Sequence, residues 1–386
     1  MDIVLSQRMD GYEEGVFQVL NEMLKTRLSR GEKVYDFTVG TPDFEAALYV
    51  REAVAKAAAD PENYKYSLGD MPELTKALTD RYESRYGVKI SASNIASVYG
   101  SQEGMAHVAF PFCNPGDVVL VPDPGYPIFS MGPAMAGAKI VKYDLYREKN
   151  YILDLADIPE ETARAAKMII VSYPLNPVCT AAPYDFYKDL IAWAKKYQVL
   201  VLHDNAYSDI IFDGRKGISF LSLPGAMEVG AEFYSLSKSY NLTGARVSFL
   251  IGNEKMVGSF KRFRSQFDYG LFKVVQYAAI AALTLGDEDV RKQCEEYQRR
   301  RDLLCGGFRK LGWDMPDSEG TMFAWGAIPA KGMGSVDFVK DLFEKTGVLC
   351  TPGISFGARG EGYVRFALNH DEAMIRQALE AAGSYS

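Results

Sequence analysis

Several residues of this chain are of types, and at spacings, that could do chemistry together. Lys238 closes the string Ser235-Leu236-Ser237-Lys238, and Arg246 follows eight positions later. A lysine amine can form a Schiff base with an aldehyde, and an arginine can take up a phosphate or carboxylate through two parallel hydrogen bonds. Asp204 opens Asp204-Asn205-Ala206-Tyr207, Asn176 precedes Pro177, and Tyr126 sits in Pro124-Gly125-Tyr126-Pro127. A carboxylate can keep a ring nitrogen protonated, while a phenol and an amide can serve an oxyanion. The run Gly100-Ser101-Gln102-Glu103-Gly104 offers hydroxyls and free backbone N–H groups to a phosphate, provided it opens a helix. Arg365, in Tyr363-Val364-Arg365-Phe366, is a further candidate for gripping a carboxylate. Singly these residues are ordinary: Asn-Pro is usually a turn, an aspartate after a strand usually a cap, and a lysine usually solvated. Their joint order and placement carry the information.

The elements that must position them read as alternating β and α segments. Apolar, β-branched runs at Ala96–Tyr99, Val118–Pro122, Lys139–Tyr143, Met168–Tyr173, Val199–His203, Glu232–Leu236 and Arg246–Gly252 predict strands buried on both faces. Helical stretches fall between them, such as Pro183–Tyr197, where Pro183 suits the first turn. The alternation implies an α/β domain with a mostly parallel sheet, in which ligands sit at the carboxyl ends of strands. Ser101, Tyr126, Asn176, Asp204, Tyr207 and Lys238 all fall at or just past such ends. A long helical segment, roughly Leu271–Leu311, leads into shorter elements: strands near Phe323–Gly326, Val348–Thr351 and Tyr363–Leu368, and helices at Val336–Thr346 and from Asp371. We expect a large domain over 46–283, with 1–45 and 284–386 forming an N-terminal arm and a smaller α+β domain.

Bulk properties narrow the function classes. At 386 residues two domains are the default. A net charge of −7 argues against nucleic-acid and anionic-membrane partners, which call for a basic face. Five scattered cysteines, an odd number without a CxxC pair, do not suggest a disulfide framework, and three histidines are few for a metal site. The opening residues lack the basic flank and apolar core of a signal peptide, and no apolar run approaches the ~20 residues of a membrane helix. These features predict a cytoplasmic protein without a metal.

Pyridoxal phosphate (PLP) chemistry needs all the parts above: a lysine for the aldehyde, a carboxylate for the pyridine nitrogen, donors for the phenolate oxygen, a phosphate cradle, and an arginine for the substrate carboxylate. The order and surrounding strings resemble the class I/II aminotransferases of PLP fold type I, the aspartate-aminotransferase-like group. The resemblance runs from about Gly40 to Arg365. It is most specific in the run from Ser235 to Arg246 and in His203-Asp204-Asn205-Ala206-Tyr207. Outer strings such as Val121-Pro122-Asp123-Pro124-Gly125-Tyr126-Pro127 and Ser219-Phe220-Leu221-Ser222-Leu223-Pro224-Gly225-Ala226 resemble the LL-diaminopimelate aminotransferase branch.

The resemblance implies roles. Lys238 is the Schiff-base residue and the proton shuttle, Asp204 the partner of the pyridinium nitrogen, and Tyr207 and Asn176 the holders of the phenolate oxygen. Tyr126 stacks on the ring. Ser101, Gln102, Ser235, Ser237 and Arg246 surround the phosphate, and Arg365, with backbone at Gly40, takes the substrate carboxylate. Tyr66 reaches the phosphate of a neighbouring subunit, which implies a homodimer with shared sites. The reaction expected is amino transfer between an amino acid and a 2-oxo acid, 2-oxoglutarate first among acceptors, with LL-diaminopimelate, aspartate or another amino acid as donor. The alternatives are a PLP lyase acting at Cβ of a sulfur amino acid and a non-catalytic PLP-binding relative.

Three departures stand out. The usual Asn-Pro-Thr-Gly reads Asn176-Pro177-Val178-Cys179, the usual Gly-Trp-Arg reads Gly244-Ala245-Arg246, and Ser248 replaces a Gly or Ala. The lost glycine matters because glycine adopts positive φ freely. Cys179 is read either as a small buried filler or as a thiol near the cofactor with a lowered pKa.

Overall fold

The strands that alternate with helices in the sequence assemble into one seven-stranded sheet in the computed structural model, which describes residues 1, 3–6, 9, 16–330 and 332–385. Part of the expected N-terminal arm, including 10–15, lies outside the described residues. The chain forms β1 (Tyr35–Asp36), β2 (Ile95–Val98), β3 (Val118–Asp123), β4 (Lys139–Asp144), β5 (Ala166–Ser172) and β6 (Leu200–Asn205). There follow β7 (Gly230–Ser235), β8 (Ser248–Gly252), β9 (Phe323–Ala327), β10 (Val348–Leu349), β11 (Thr351–Pro352) and β12 (Tyr363–Ala367).

The large sheet has the order β2-β8-β7-β6-β5-β3-β4. Only β8 runs against its neighbours; the other pairs are parallel. The apolar runs of the sequence are explained by helices covering both faces: Met168, Ile169, Ile170 and Val171 of β5 are fully buried in succession. Because β3, β5, β6 and β7 point the same way, their carboxyl ends open along one edge.

The tail builds a second, three-stranded antiparallel sheet, β11-β12-β9. The segment before Glu45 joins this region, since β1 pairs in parallel with β10 and Ala367 N donates to Phe37 O at 2.8 Å. Where one strand was expected over Val348–Thr351 there are two, because the chain changes partners at Cys350: β10 pairs with β1, and β11 with β12.

The single helical segment expected over Leu271–Leu311 is likewise two helices, Lys273–Leu285 and Asp287–Lys310. The break falls at Gly286, where a side chain has no room: a Cβ would stand 2.5 Å from both Ala282 O and the Tyr240 ring. The first helix packs with Leu48–Ala58 and Pro72–Tyr86, the second with the closing helix Glu372–Ala382. Pro183 is the residue before its helix, extended at φ −72° and ψ 159°, and not in its first turn.

Candidate active site

At the carboxyl edge of the large sheet lies a cavity of about 710 Å3, closed on its far side by residues of β9, β12 and the β11–β12 connection. All the expected site residues except Tyr66 line it.

Lys238 stands in a helix of four residues, Leu236–Ser239, that begins directly from β7. Ser235 caps this turn, its Oγ accepting from Ser237 N at 3.2 Å. The Lys238 ammonium donates to the carbonyl of Gly40. Burial, reinforced by the positive charges of Arg365 and Arg246, brings its pKa down to about 8. That places the amine close to the neutral form a nucleophile or base requires.

Asp204 is inside β6 as its penultimate residue, and not beyond it. Its Oδ1 is buried without a hydrogen-bond partner, and burial pushes the carboxyl up to about 6. An unpaired buried carboxyl oxygen is costly unless something arrives to meet it, and a protonated ring nitrogen is a group that would. Tyr207 and Tyr126 are phenols raised by burial; Tyr126 OH donates to Gln102 Oε1 at 3.3 Å.

Two arginines line the cavity with no carboxylate on either among the described residues. Arg365 donates through Nη1 to Asn176 Oδ1 (3.0 Å) and through Nη2 to Thr38 O (3.0 Å) and Thr351 Oγ1 (3.3 Å). Its Nε is buried without a partner, and its guanidinium lies 4.1 Å from the Phe323 ring centroid and 4.9 Å from that of Phe356. Burial lowers even this group, to about 10. A guanidinium so desolvated fits a carboxylate brought in by a ligand. Arg246 donates only to backbone, at Thr243 O (3.0 Å) and Tyr99 O (3.4 Å).

The helix Ser101–His107 begins beside Arg246. Gly100 makes the approach possible: its φ is +87°, and a Cβ there would sit 2.2 Å from Arg246 Nη2. Ser101 and Gln102 occupy the first turn, and Ser235 and Ser237 line the same cavity. A helix N-terminus, serines and an arginine without a counter-ion are what a phosphate needs. Together with the unpaired Oδ1 of Asp204, these residues fit PLP.

Ser248, known from the sequence only as a departure, donates to Ser235 Oγ at 2.9 Å and so backs the cradle. Thr38, Thr351, Phe323, Phe356 and Ser355 were missed altogether. Their local sequences carry no signal, because Thr38 arrives after β1 and the others arrive with β9, β11 and the β11–β12 connection. Tyr66 is 81% exposed and packs on Tyr269, ring centroids 5.2 Å apart, outside the cavity.

Cys179 does not have the lowered pKa that the sharper reading required. It is buried, and desolvation raises the thiol to about 11. The backbone keeps the left-handed conformation of the replaced glycine, with φ +64°.

Comparison with known proteins agrees with this geometry. The profile of the family "Aminotransferase class I and II" matches residues 32–381. The LL-diaminopimelate aminotransferase of Halothermothrix orenii is 40% identical over 367 residues, 95% of this chain and 94% of that one. The glutamate-pyruvate aminotransferase AlaC of Escherichia coli is 38% identical over 376 residues, 96% of this chain and 91% of that one. Among solved structures, apo BacF of Bacillus subtilis superposes with a TM-score of 0.95 at 31% identity, covering 99% of this chain and 98% of the other.

Proposed function

Because this chain belongs to the class I and II aminotransferase family and is a PLP-dependent aminotransferase, we propose that it moves the α-amino group of an amino acid to 2-oxoglutarate, with Lys238 as the base. One observation carries this reading: a single cavity holds a part-buried amine, a carboxyl with a buried unpaired oxygen and, among the described residues, two arginines without carboxylates. LL-diaminopimelate is the first donor to test, on the strength of the relatives at 36–40% identity.

Bound PLP supplies a carbonyl for the amine and an electron-accepting ring that eases loss of the Cα proton. Asp204 would hold the proton of the ring nitrogen, and Tyr207 with Asn176 Nδ2 would serve the ring oxygen. Ser101, Gln102, Ser235, Ser237 and Arg246 would bind the phosphate, with Tyr126 against the ring. Arg365 would hold the substrate carboxylate beside Gly40. Lys238 Nζ, whose pKa of about 8 leaves a fraction of it as free amine near neutral pH, would carry the proton away from Cα and return it one carbon away.

We further propose that residues 46–283 form the cofactor domain, with 1–45 and 284–386 completing the site. The active form would be a cytoplasmic homodimer in which Tyr66 reaches the partner's phosphate site. The exposure of Tyr66 beside Tyr269 and the five free thiols support this picture, and no described helix is long and apolar enough to cross a membrane.

The test is a half-reaction screen: the PLP form is mixed with single amino acids and its visible spectrum followed to pyridoxamine phosphate, then 2-oxoglutarate is added. Return of the starting spectrum supports the reading. Release of ammonia and pyruvate from cystathionine without any acceptor would replace transfer by elimination.

A further inference from the structure

The four-residue helix that carries Lys238 is too short to satisfy its own last carbonyls. The carbonyl of Lys238 is met from outside: Gln293 Nε2 donates to it at 2.8 Å. Gln293 is only 6% exposed and comes from Asp287–Lys310, the helix that packs on the closing helix of the chain. Its Oε1 accepts from Asn241 Nδ2 at 2.8 Å, and the same Nδ2 reaches Glu45 O at 3.3 Å. Asn241 itself stands at φ +58°. At the other end of the lysine, the ammonium meets Gly40 O, five residues before Glu45 in the chain. Lys238 is therefore held at both ends by elements outside the seven-stranded sheet.

We propose that Gln293 is a positioning residue for the reaction: by holding the main-chain carbonyl of Lys238, it fixes the point from which the amine reaches into the cavity. The inference rests on the reading that Lys238 is the base. A glutamine suits the task because one end donates and the other accepts. Glutamate has the same shape and can still accept from Asn241, yet its ionised form turns a lone pair toward the Lys238 carbonyl. Leucine fills the space and makes neither bond.

The experiment compares Gln293→Glu, Gln293→Leu and Asn241→Ala with the parent, all as full-length protein. Borohydride reduction of the parent with PLP, followed by peptide mapping, comes first. A phosphopyridoxyl group on another lysine would overturn the underlying assignment of Lys238, whatever the variants do. With the label on Lys238, both Gln293 variants should lose about tenfold or more in half-reaction rate with donor KM within about twofold, since misplacing a catalytic group by 1 Å can cost ~10²-fold. In the PLP-free protein, acetylation of Lys238 relative to surface lysines should speed severalfold as the amine leaves the Gly40 carbonyl. Asn241→Ala, which keeps the bond to Lys238, should move neither readout by more than about twofold.

Parent-like rates and parent-like acetylation in Gln293→Glu would overturn the proposal. So would a lowered melting temperature in the Gln293 variants with both readouts intact in the folded fraction, which describes a packing role alone. A loss in Asn241→Ala equal to that in Gln293→Glu would also overturn it, because the bond to Asn241 would then be the one that matters.

Discussion

The two faces of one strand pair treat a buried carboxyl in opposite ways. Glu232 of β7 lies opposite His203 of β6, and Asp204, the next residue of β6, points to the other face. Both oxygens of Glu232 are met: it accepts from Tyr82 OH (2.8 Å), Ser219 Oγ (2.6 Å) and Phe220 N (3.0 Å). Asn205 Nδ2 and His203 Nδ1 approach it as well, each at 3.3 Å. Asp204 keeps some exposure where Glu232 has none, yet its Oδ1 is buried and has no partner. The first arrangement is what folding alone selects, since each unmet buried group costs about 1–3 kcal/mol. The second, repeated at Arg365 Nε in the same cavity, leaves groups that a ligand of complementary charge would complete. The contrast lies in the two carboxyls themselves: the fold meets both oxygens of Glu232, whereas it leaves Oδ1 of Asp204 to a ligand.

Exchanging the two carboxyls tests that contrast, and the largest effect should be on turnover. Asp204→Asn should bind PLP, fold as the parent does, and slow the half-reaction by orders of magnitude, because an amide does not keep the ring nitrogen protonated. Single-turnover rates near those of the parent would remove Asp204 from its proposed role. Glu232→Ala should do the reverse. It strands several buried donors and should destabilise the fold by about 3–5 kcal/mol, as when one partner of a buried network is lost. Urea unfolding measures the cost, and the fraction still folded should keep most of its half-reaction rate. A stable variant with crippled turnover would place Glu232 in the catalytic machinery after all.

The unpaired state of Asp204 also predicts a pH signature in the PLP-free protein. Its carboxyl sits at about 6 when folded, above the ~3.9 of an exposed aspartate. The folded state therefore binds that proton more tightly than the unfolded chain. The resulting stability is fully present below about pH 4, is lost as pH rises toward 6, and is absent above it. Asp204→Asn lacks this step, so its stability relative to the parent should climb between pH 4 and 6.5 and then level off. A shift of about two units corresponds to roughly 3 kcal/mol as an upper figure. Saturating PLP should shrink the climb by giving the carboxylate a cationic neighbour. Parallel pH profiles for the two proteins would mean that Asp204 already has a partner in the PLP-free protein.

Which parts of this were legible in the sequence follows from how local their causes are. The strands were, because a parallel strand covered on both faces is written as a continuous apolar run, as in Met168–Val171. So were the residues at strand ends, since the sheet's direction fixes where they gather. The break at Gly286 was not recognised, although Asp287, Glu288 and Asp289 put three acids in a new first turn, a signature of a helix start. The split at Cys350 left no local trace, for it depends on which strand lies alongside. Gln293 reaches Lys238 across 55 residues, while Thr351 and Phe356 meet Arg365 through the pairing of β11 with β12 and the turn between them. No pattern of neighbours in the chain announces such contacts.

Cys179 carries the contrast to its smallest scale, a residue whose backbone is unfavourable and whose side chain is satisfied. It stands at φ +64°, where a residue with a Cβ costs on the order of 1 kcal/mol relative to glycine. Against that cost its N–H donates to Leu175 O at 2.6 Å, and its Sγ lies 3.1 Å from Pro177 O and 3.3 Å from Phe323 O. Thr321 Oγ1 donates to the sulfur at 3.2 Å. Cys179→Ala keeps the backbone cost and loses the sulfur contacts, whereas Cys179→Gly loses the contacts but relieves the backbone. The glycine variant should therefore be more stable than the alanine variant by about 1 kcal/mol, the reverse of their order at an ordinary position. Urea unfolding of the two variants side by side decides it. The thiol, held up at about 11 by burial, should also resist alkylation at neutral pH whether or not PLP is bound. Alanine equal to or above glycine would show that the loop does not need the left-handed conformation. Rapid alkylation slowed by PLP would restore Cys179 as a reactive neighbour of the cofactor.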